Sequence, residues 1–251
     1  MNDHDPASSR ETHSSPGQAR PSGVRRLLSN RRSGWIVSGV LACAVIVLAV
    51  LLATSPSATP VPVVPGDQAS NARSAPAAGG AAGAVDSMSA SGFMMTTSAG
   101  QTVTVNQSSA TTYQDGTGSI PANAITAGAN VLVLGTTSGT TITATQVVVQ
   151  PNDGGGSAAS LAAGVIPFQR GAPATSKQDG QIPPDYSEGS GTIVSGSTAN
   201  QATEAALAAY PGGVVDRVVQ LSNGDYEVHY IGVNWPHHIF TDQTFKIMGA
   251  N

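Results

Sequence analysis

Residues Gly34 to Ala53 constrain this chain more than any others. They read GWIVSGVLACAVIVLAVLLA, twenty residues without a charge and with Ser38 as the one strongly polar side chain. A helix needs about 20 such residues to cross the core of a bilayer, so a single transmembrane helix is expected over 34–54. Arg25, Arg26, Arg31 and Arg32 stand just before it, and the next basic residue is Arg73. Basic residues collect on the cytoplasmic side. The expected protein is therefore single-pass in the cell membrane, with a cytoplasmic N-terminus, extracytoplasmic C-terminal domains and the lipid bilayer as a partner.

Two other readings of this segment compete. Val40-Leu41-Ala42-Cys43 loosely resembles a lipobox, and a cleaved secretory signal is the second alternative. The apolar run continues from Ala44 to Ala53, beyond the roughly 7–15 residues of a signal core, which favours an uncleaved anchor. Cys43 is the only cysteine, so no internal disulfide forms.

Charge and composition divide the rest. The chain carries −4 overall, yet residues 1–33 hold six Arg against Asp3, Asp5 and Glu11, a net of +3, leaving −7 for the remainder. The acidic remainder has no basic stripe for a phosphate backbone, so no nucleic acid is expected as a partner. With 10% charged and 4% aromatic residues, 29 Gly and 16 Pro, there is too little bulky apolar material for one large core; two small folds on linkers are expected. Residues 1–33 read as a disordered basic cytoplasmic tail. Residues 55–86 read as a Pro/Ala/Gly linker: Pro56, Pro60, Pro62 and Pro65 favour extended polyproline-like chain, and the Ala/Gly half that follows reads as flexible.

Residues 87–150 change character. Gln101–Asn106 alternates polar and apolar residues, the period of a half-buried strand. Val131-Leu132-Val133-Leu134 is a continuous apolar run suited to a strand buried on both faces. Residues 140–149 are rich in β-branched side chains, and Ser138-Gly139 supplies a turn before them. Residues 93–97 and 110–113 add two further strands. The pattern SGFMMTTSAGQTVTVNQSSATTY, then AITAGANVLVLGTTSGTTITATQVVV, resembles the bacterial DUF5666 family of extracytoplasmic β-domains. The resemblance implies a small all-β, OB-like barrel. Its groove would need basic and aromatic side chains to hold an oligonucleotide, but residues 87–150 contain no Lys or Arg and only Phe93 and Tyr113 as aromatics.

Residues 151–196 read as a Gly/Ser/Pro-rich linker, interrupted by Leu161 to Phe168, a stretch more apolar than a free linker needs. It either docks on a fold or contacts a partner. Residues 197–251 read as a small α+β unit. Thr198 and Gln201 fit a capping box; Thr203, Ala206, Leu207 and Tyr210 share one helical face; Pro211-Gly212-Gly213 ends the helix. Asn223-Gly224 signals a two-residue hairpin loop between strands at 214–221 and 225–233, with further strand at 238–248. The elements Ala202 to Gly213, Val215 to Val219 and Tyr226 to Tyr230 are similar to a PepSY-like domain. Such modules are typically extracytoplasmic, and some are thought to modulate peptidases.

The densest chemistry lies in this last unit. Alternation places Asp225, Glu227 and His229 on one face of a strand and Tyr226, Val228 and Tyr230 on the other. Tyr226, His229, Tyr230, Trp235, His237 and His238 are the candidate binding face, since aromatic and imidazole side chains combine apolar area with polar tips. His229, His237, His238 and Glu227, with Asp242 nearby, are the alternative: a zinc or copper site. There is no G-x-S-x-G elbow, P-loop or H-E-x-x-H motif. No enzyme and no cofactor are expected. The expected role is non-catalytic binding of an extracytoplasmic protein, in envelope assembly or in control of such a partner, with metal binding as the alternative.

Overall fold

Alanine and glycine make residues 77–84 read as a tether, yet they form the strand around which the fold is built. In the computed structural model, which describes residues 75–151 and 156–251, β1 runs over Ala77–Ser89. It is followed by β2 (Gly92–Thr97), β3 (Thr102–Asn106), β4 (Thr112–Asp115), β5 (Gly118–Ser119), a 3-10 turn at Ala122–Ala124, β6 (Asn130–Ser138) and β7 (Thr141–Val149). Strand β1 pairs antiparallel with β2 through Gly83–Ser89 and with β6 through Ala77–Ala84. Strand β2 pairs with β3, β3 runs parallel to β7, and β7 returns to β6. These five strands close into a ring. Its interior is filled by Phe93, Met95, Val103, Val105, Val133 and Ile142, among others.

The second half adds α1 (Ser157–Ala162), β8 (Ile166–Pro167), β9 (Asp179–Gly180), β10 (Thr192–Ile193), α2 (Gly196–Ala209), β11 (Val214–Gln220), β12 (Tyr226–Ile231), β13 (Val233–Trp235), β14 (His238–Thr241) and β15 (Ile247–Ala250). The sheet runs on from the ring without a break, in the order β1, β11, β12, β14, β15, β9. The joint lies at Gly80 and Ala81, which pair with Leu134 and Val133 on one edge and with Val215 and Val214 on the other. Close approach explains the composition there. A Cβ at Gly79 would fall on the Val215 carbonyl oxygen, and one at Gly80 on that of Val133.

Helix α2 lies on one face of the continued sheet. Its Ala199, Ala202, Ala206 and Leu207 pack with Val215, Val218, Val228 and Tyr230 from the strands and with Leu132 and Leu134 of β6. Strand β6 therefore serves two cores, Val131 and Val133 pointing into the ring and Leu132 and Leu134 toward the helix. Burying both faces explains its uninterrupted apolar run.

The expected fold class, a membrane-anchored multidomain chain with a transmembrane helix, a separate OB-like barrel and a separate α+β unit, is corrected. The described residues are mostly β-sheet with two helices, and the sheet is continuous because β1 shares its edges between the ring strands and β11. Residues 34–54, where the membrane helix is expected, lie outside the described residues, as does the tail at 1–33. Among the described residues no helix is long and apolar enough to cross a membrane, so the membrane and single-pass expectation finds no element to carry it.

Two local readings also change. Helix α2 starts at Gly196 behind Ser195, without a side-chain cap, so Thr198 lies inside it and no capping box forms. The β11–β12 loop holds three residues, Ser222 to Gly224: Leu221 N–H donates to the Asp225 carbonyl, Gly224 N–H to the Leu221 carbonyl, and Gly224 has φ +89°. A type I turn closed by a left-handed glycine is the three-residue alternative to the two-residue loop.

Candidate functional site

Strand alternation decides where the candidate residues fall. Tyr226, Val228 and Tyr230 of β12 point toward α2, and Glu227 and His229 point to the opposite face. Tyr226 and Tyr230 are thus core residues. So is Trp235, which is fully buried, donates from Nε1 to the Lys177 carbonyl at 2.8 Å, and meets Tyr210 edge to face at 5.6 Å. The Lys177 ammonium lies 3.8 Å from its ring centroid. The Trp235–Pro236 peptide is cis. Of the six candidate binding residues, the structure brings His229, His237 and His238 together on the face away from α2 and leaves the three large aromatics inside.

That face carries a polar network. Arg217, His229 and His238 sit side by side on β11, β12 and β14. His229 Nδ1 meets Asp216 Oδ1 at 2.6 Å, and His238 Nδ1 meets Glu227 Oε1 at 2.6 Å. The two imidazoles are 5.1 Å apart, with His237 a further 6.4 Å from His238. Asp216 also accepts from Arg217 at 3.2 Å. Glu227 is 2% exposed; a carboxylate so far from water needs its partners. Tyr186, from the segment between β9 and β10, covers the pair: its hydroxyl lies 3.1 Å from His238 Nδ1 and its ring packs edge-on against Phe240. Burial first, and the Glu227 charge second, push the Tyr186 hydroxyl far above its ordinary value. It stays a neutral hydroxyl.

Asp216, Arg217 and Tyr186 are the members that sequence reading misses. For Asp216 a signal exists. Val214 to Val219 reads VVDRVV, two apolar, two charged, two apolar, which strict alternation cannot place. A register shift between Val215 and Arg217 resolves it; such a bulge re-aims one side chain, here Asp216 toward His229. Tyr186 sits among Pro, Ser and Gly with no periodicity to mark it.

Beside the network lies a cleft of about 390 Å³, lined by Phe168, Ala172 and Ala174 on one wall and by His229, Ile231, Val233 and His237 on the other. The apolar stretch at 161–168 docks through buried Val165 and through β8 on β13, and just before it the Ser160 hydroxyl donates to the Pro211 carbonyl at 2.6 Å. Its Phe168 stays 53% exposed at the cleft. Burial, together with the neighbouring His238 and His229, lowers the basicity of His237 below the ordinary imidazole value, against a hydrogen bond with the Tyr230 backbone. His237 is therefore uncharged at the cleft near neutral pH.

The metal alternative fares differently. His229 and His238 each commit Nδ1 to a carboxylate, and Asp242 is spent on its own turn, accepting at Oδ1 from Thr244 N–H, Thr244 Oγ1 and Lys246 N–H. Among the described residues no group of three or more His, Cys, Asp or Glu is placed to hold a metal ion. Comparison with protein families, with curated proteins and with solved structures finds no match for this chain.

Proposed function

We propose that the chain is a non-catalytic binding module that takes an extended segment of a protein partner into the cleft beside His229 and His237. The observation that carries this reading is Phe168: a large aromatic, more than half exposed, at the mouth of a cleft with apolar walls and two imidazoles. Water-exposed aromatic area at a concave site favours a ligand that covers it. The volume lies at the small end of the roughly 300–1,000 Å³ range of ligand pockets, which suits two or three side chains of a peptide. The network behind the cleft supports the same reading: Asp216 fixes the His229 ring, so the wall is preorganised. The DUF5666-like and PepSY-like resemblances remain part of the proposal as kinships of the two halves.

The test is a selection from a random peptide library on the full chain, followed by affinities for Phe168→Ala. The wild type should yield a consensus of apolar or proline-containing peptides, and the variant should bind them at least about tenfold more weakly, the loss of one anchor side chain. A selection without consensus, or peptides indifferent to the substitution, would sink the reading.

A further inference from the structure

Proline-rich segments dock on grooves lined by aromatic rings, because a polyproline helix is preformed and loses little entropy on binding. The cleft presents such rings in Phe168, His229 and His237, with Ala172 and Ala174 leaving room between them. No Lys, Arg, Asp or Glu lines it, so its occupant should be uncharged. The chain contains one such segment outside the described residues. Residues 55–66 carry four prolines and no charge, and Pro60-Val61-Pro62-Val63-Val64-Pro65 alternates proline rings with branched apolar side chains.

Reach favours this segment. Ile231, on the cleft wall, is in register with Val214, which is in register with Ala81 of β1. Two strand spacings, about 10 Å, separate Ala81 from Ile231. The described chain begins at exposed Ala75, six residues before Ala81 and hence about 20 Å along the strand. The span from Ala75 to the cleft is thus on the order of 20–25 Å, while the ten steps from Pro65 to Ala75 reach about 33 Å when extended. A tether this short holds the segment near the cleft at an effective concentration of about millimolar, so weak contacts suffice.

We infer that residues 60–65 of this same chain occupy the cleft beside Phe168, His229 and His237, as an internal ligand that a partner must displace. The inference rests on the proposed function of that cleft and adds the class of its ligand, an uncharged proline-rich segment.

A photoreactive benzoylphenylalanine in place of Phe168, in the full-length chain, tests it. Illumination should join position 168 to residues 60–65 within one molecule, at a yield independent of protein concentration. The double variant Val61→Asp, Val64→Asp should abolish that cross-link and tighten binding of library-selected peptides at least about tenfold by removing the competitor. A cross-link to a second copy of the chain, growing with concentration, overturns the inference; so does a cross-link elsewhere in the chain, or none. If selected peptides bind while no internal cross-link forms, the inference falls and the proposed function stands. If neither occurs, both fall.

Discussion

Replacing Gly80 by alanine adds one methyl group in the stretch that sequence alone reads as a flexible tether. In a tether the change is harmless, and by restricting the unfolded chain it is slightly stabilising, by about 0.4–1 kcal/mol. In the structure the new Cβ falls on the Val133 carbonyl oxygen, with Leu134 Cδ2 and Thr203 Cγ2 only 3.2 and 3.3 Å away. Neither edge can yield freely, because Gly80 is paired to β6 on one side and β11 on the other. Relief needs the strands to part by roughly 1 Å, which stretches the two nearest ladder bonds; at about 1 kcal/mol net each plus the usual cost of overpacking, about 1–3 kcal/mol, less the roughly 0.4–1 kcal/mol gained from restricting the unfolded chain, the loss should be about 2–4.5 kcal/mol. For a fold of this size that is a fall in Tm on the order of 5–15 °C. Urea and thermal unfolding measure it, with Gly156→Ala as the control, since a Cβ there meets nothing within 4 Å. A Gly80→Ala protein within about 0.5 kcal/mol of wild type, the scatter of indifferent surface changes, would refute the placement of β1 at the joint.

Two further outcomes follow from the site and its turns. Glu227→Ala removes the buried partner of a half-buried His238 and the carboxylate behind Tyr186, and should cost about 3–5 kcal/mol in urea unfolding, whereas Glu227→Leu combined with His238→Phe should recover most of that loss; a double variant as unstable as the single one would contradict the pairing. Asp242→Ala removes three hydrogen bonds at the β14–β15 turn and should cost about 1–2 kcal/mol, with Asp242→Asn nearer wild type. The Thr244 and Lys246 hydrogen bonds hold the Asp242 carboxyl below its ordinary 3.8. Its folded value is lower than its unfolded value, so its contribution is complete above pH 3.8 and is lost as pH falls through the folded value. Acid unfolding of Asp242→Asn should therefore lack that part of the wild-type pH dependence.

Much of the fold is legible where period and burial agree. Thr102–Asn106 alternates because one face looks into the ring, and Val131 to Leu134 does not because both faces are buried. The helix face of Ala206 and Leu207 and the split of β12 into Glu227/His229 and Tyr226/Val228/Tyr230 follow from geometry alone. What misleads is small-residue sequence. AAGGAAGA carries no hydrophobic period and has the composition of a linker, yet its lack of bulk is what lets the neighbouring strands close on it. The same limit hides the site. Alternation identifies the imidazole face but cannot tell that Tyr230 and Trp235 are the interior of the other face, nor that Tyr186, from an aperiodic stretch, covers Glu227.

The polar network poses a question of energetics that its surroundings answer. Six polar or charged side chains lie on one face of a sheet whose other face is an ordinary apolar core. A buried ion pair gains little over well-packed hydrophobic residues of the same volume, so stability alone does not account for Asp216, Glu227 and their imidazoles. Their geometry does something an apolar patch cannot. A carboxylate on each Nδ1 holds the imidazole in a fixed ring plane. His229 thereby becomes a fixed wall of the cleft, and His237, without a carboxylate of its own and short of water, stays uncharged beside it. A face built of leucine would bury as much area, but it would offer no polar ring atom and no fixed orientation. Under the proposed function, holding the His229 wall of the cleft in place, more than stability, is what Asp216 supplies.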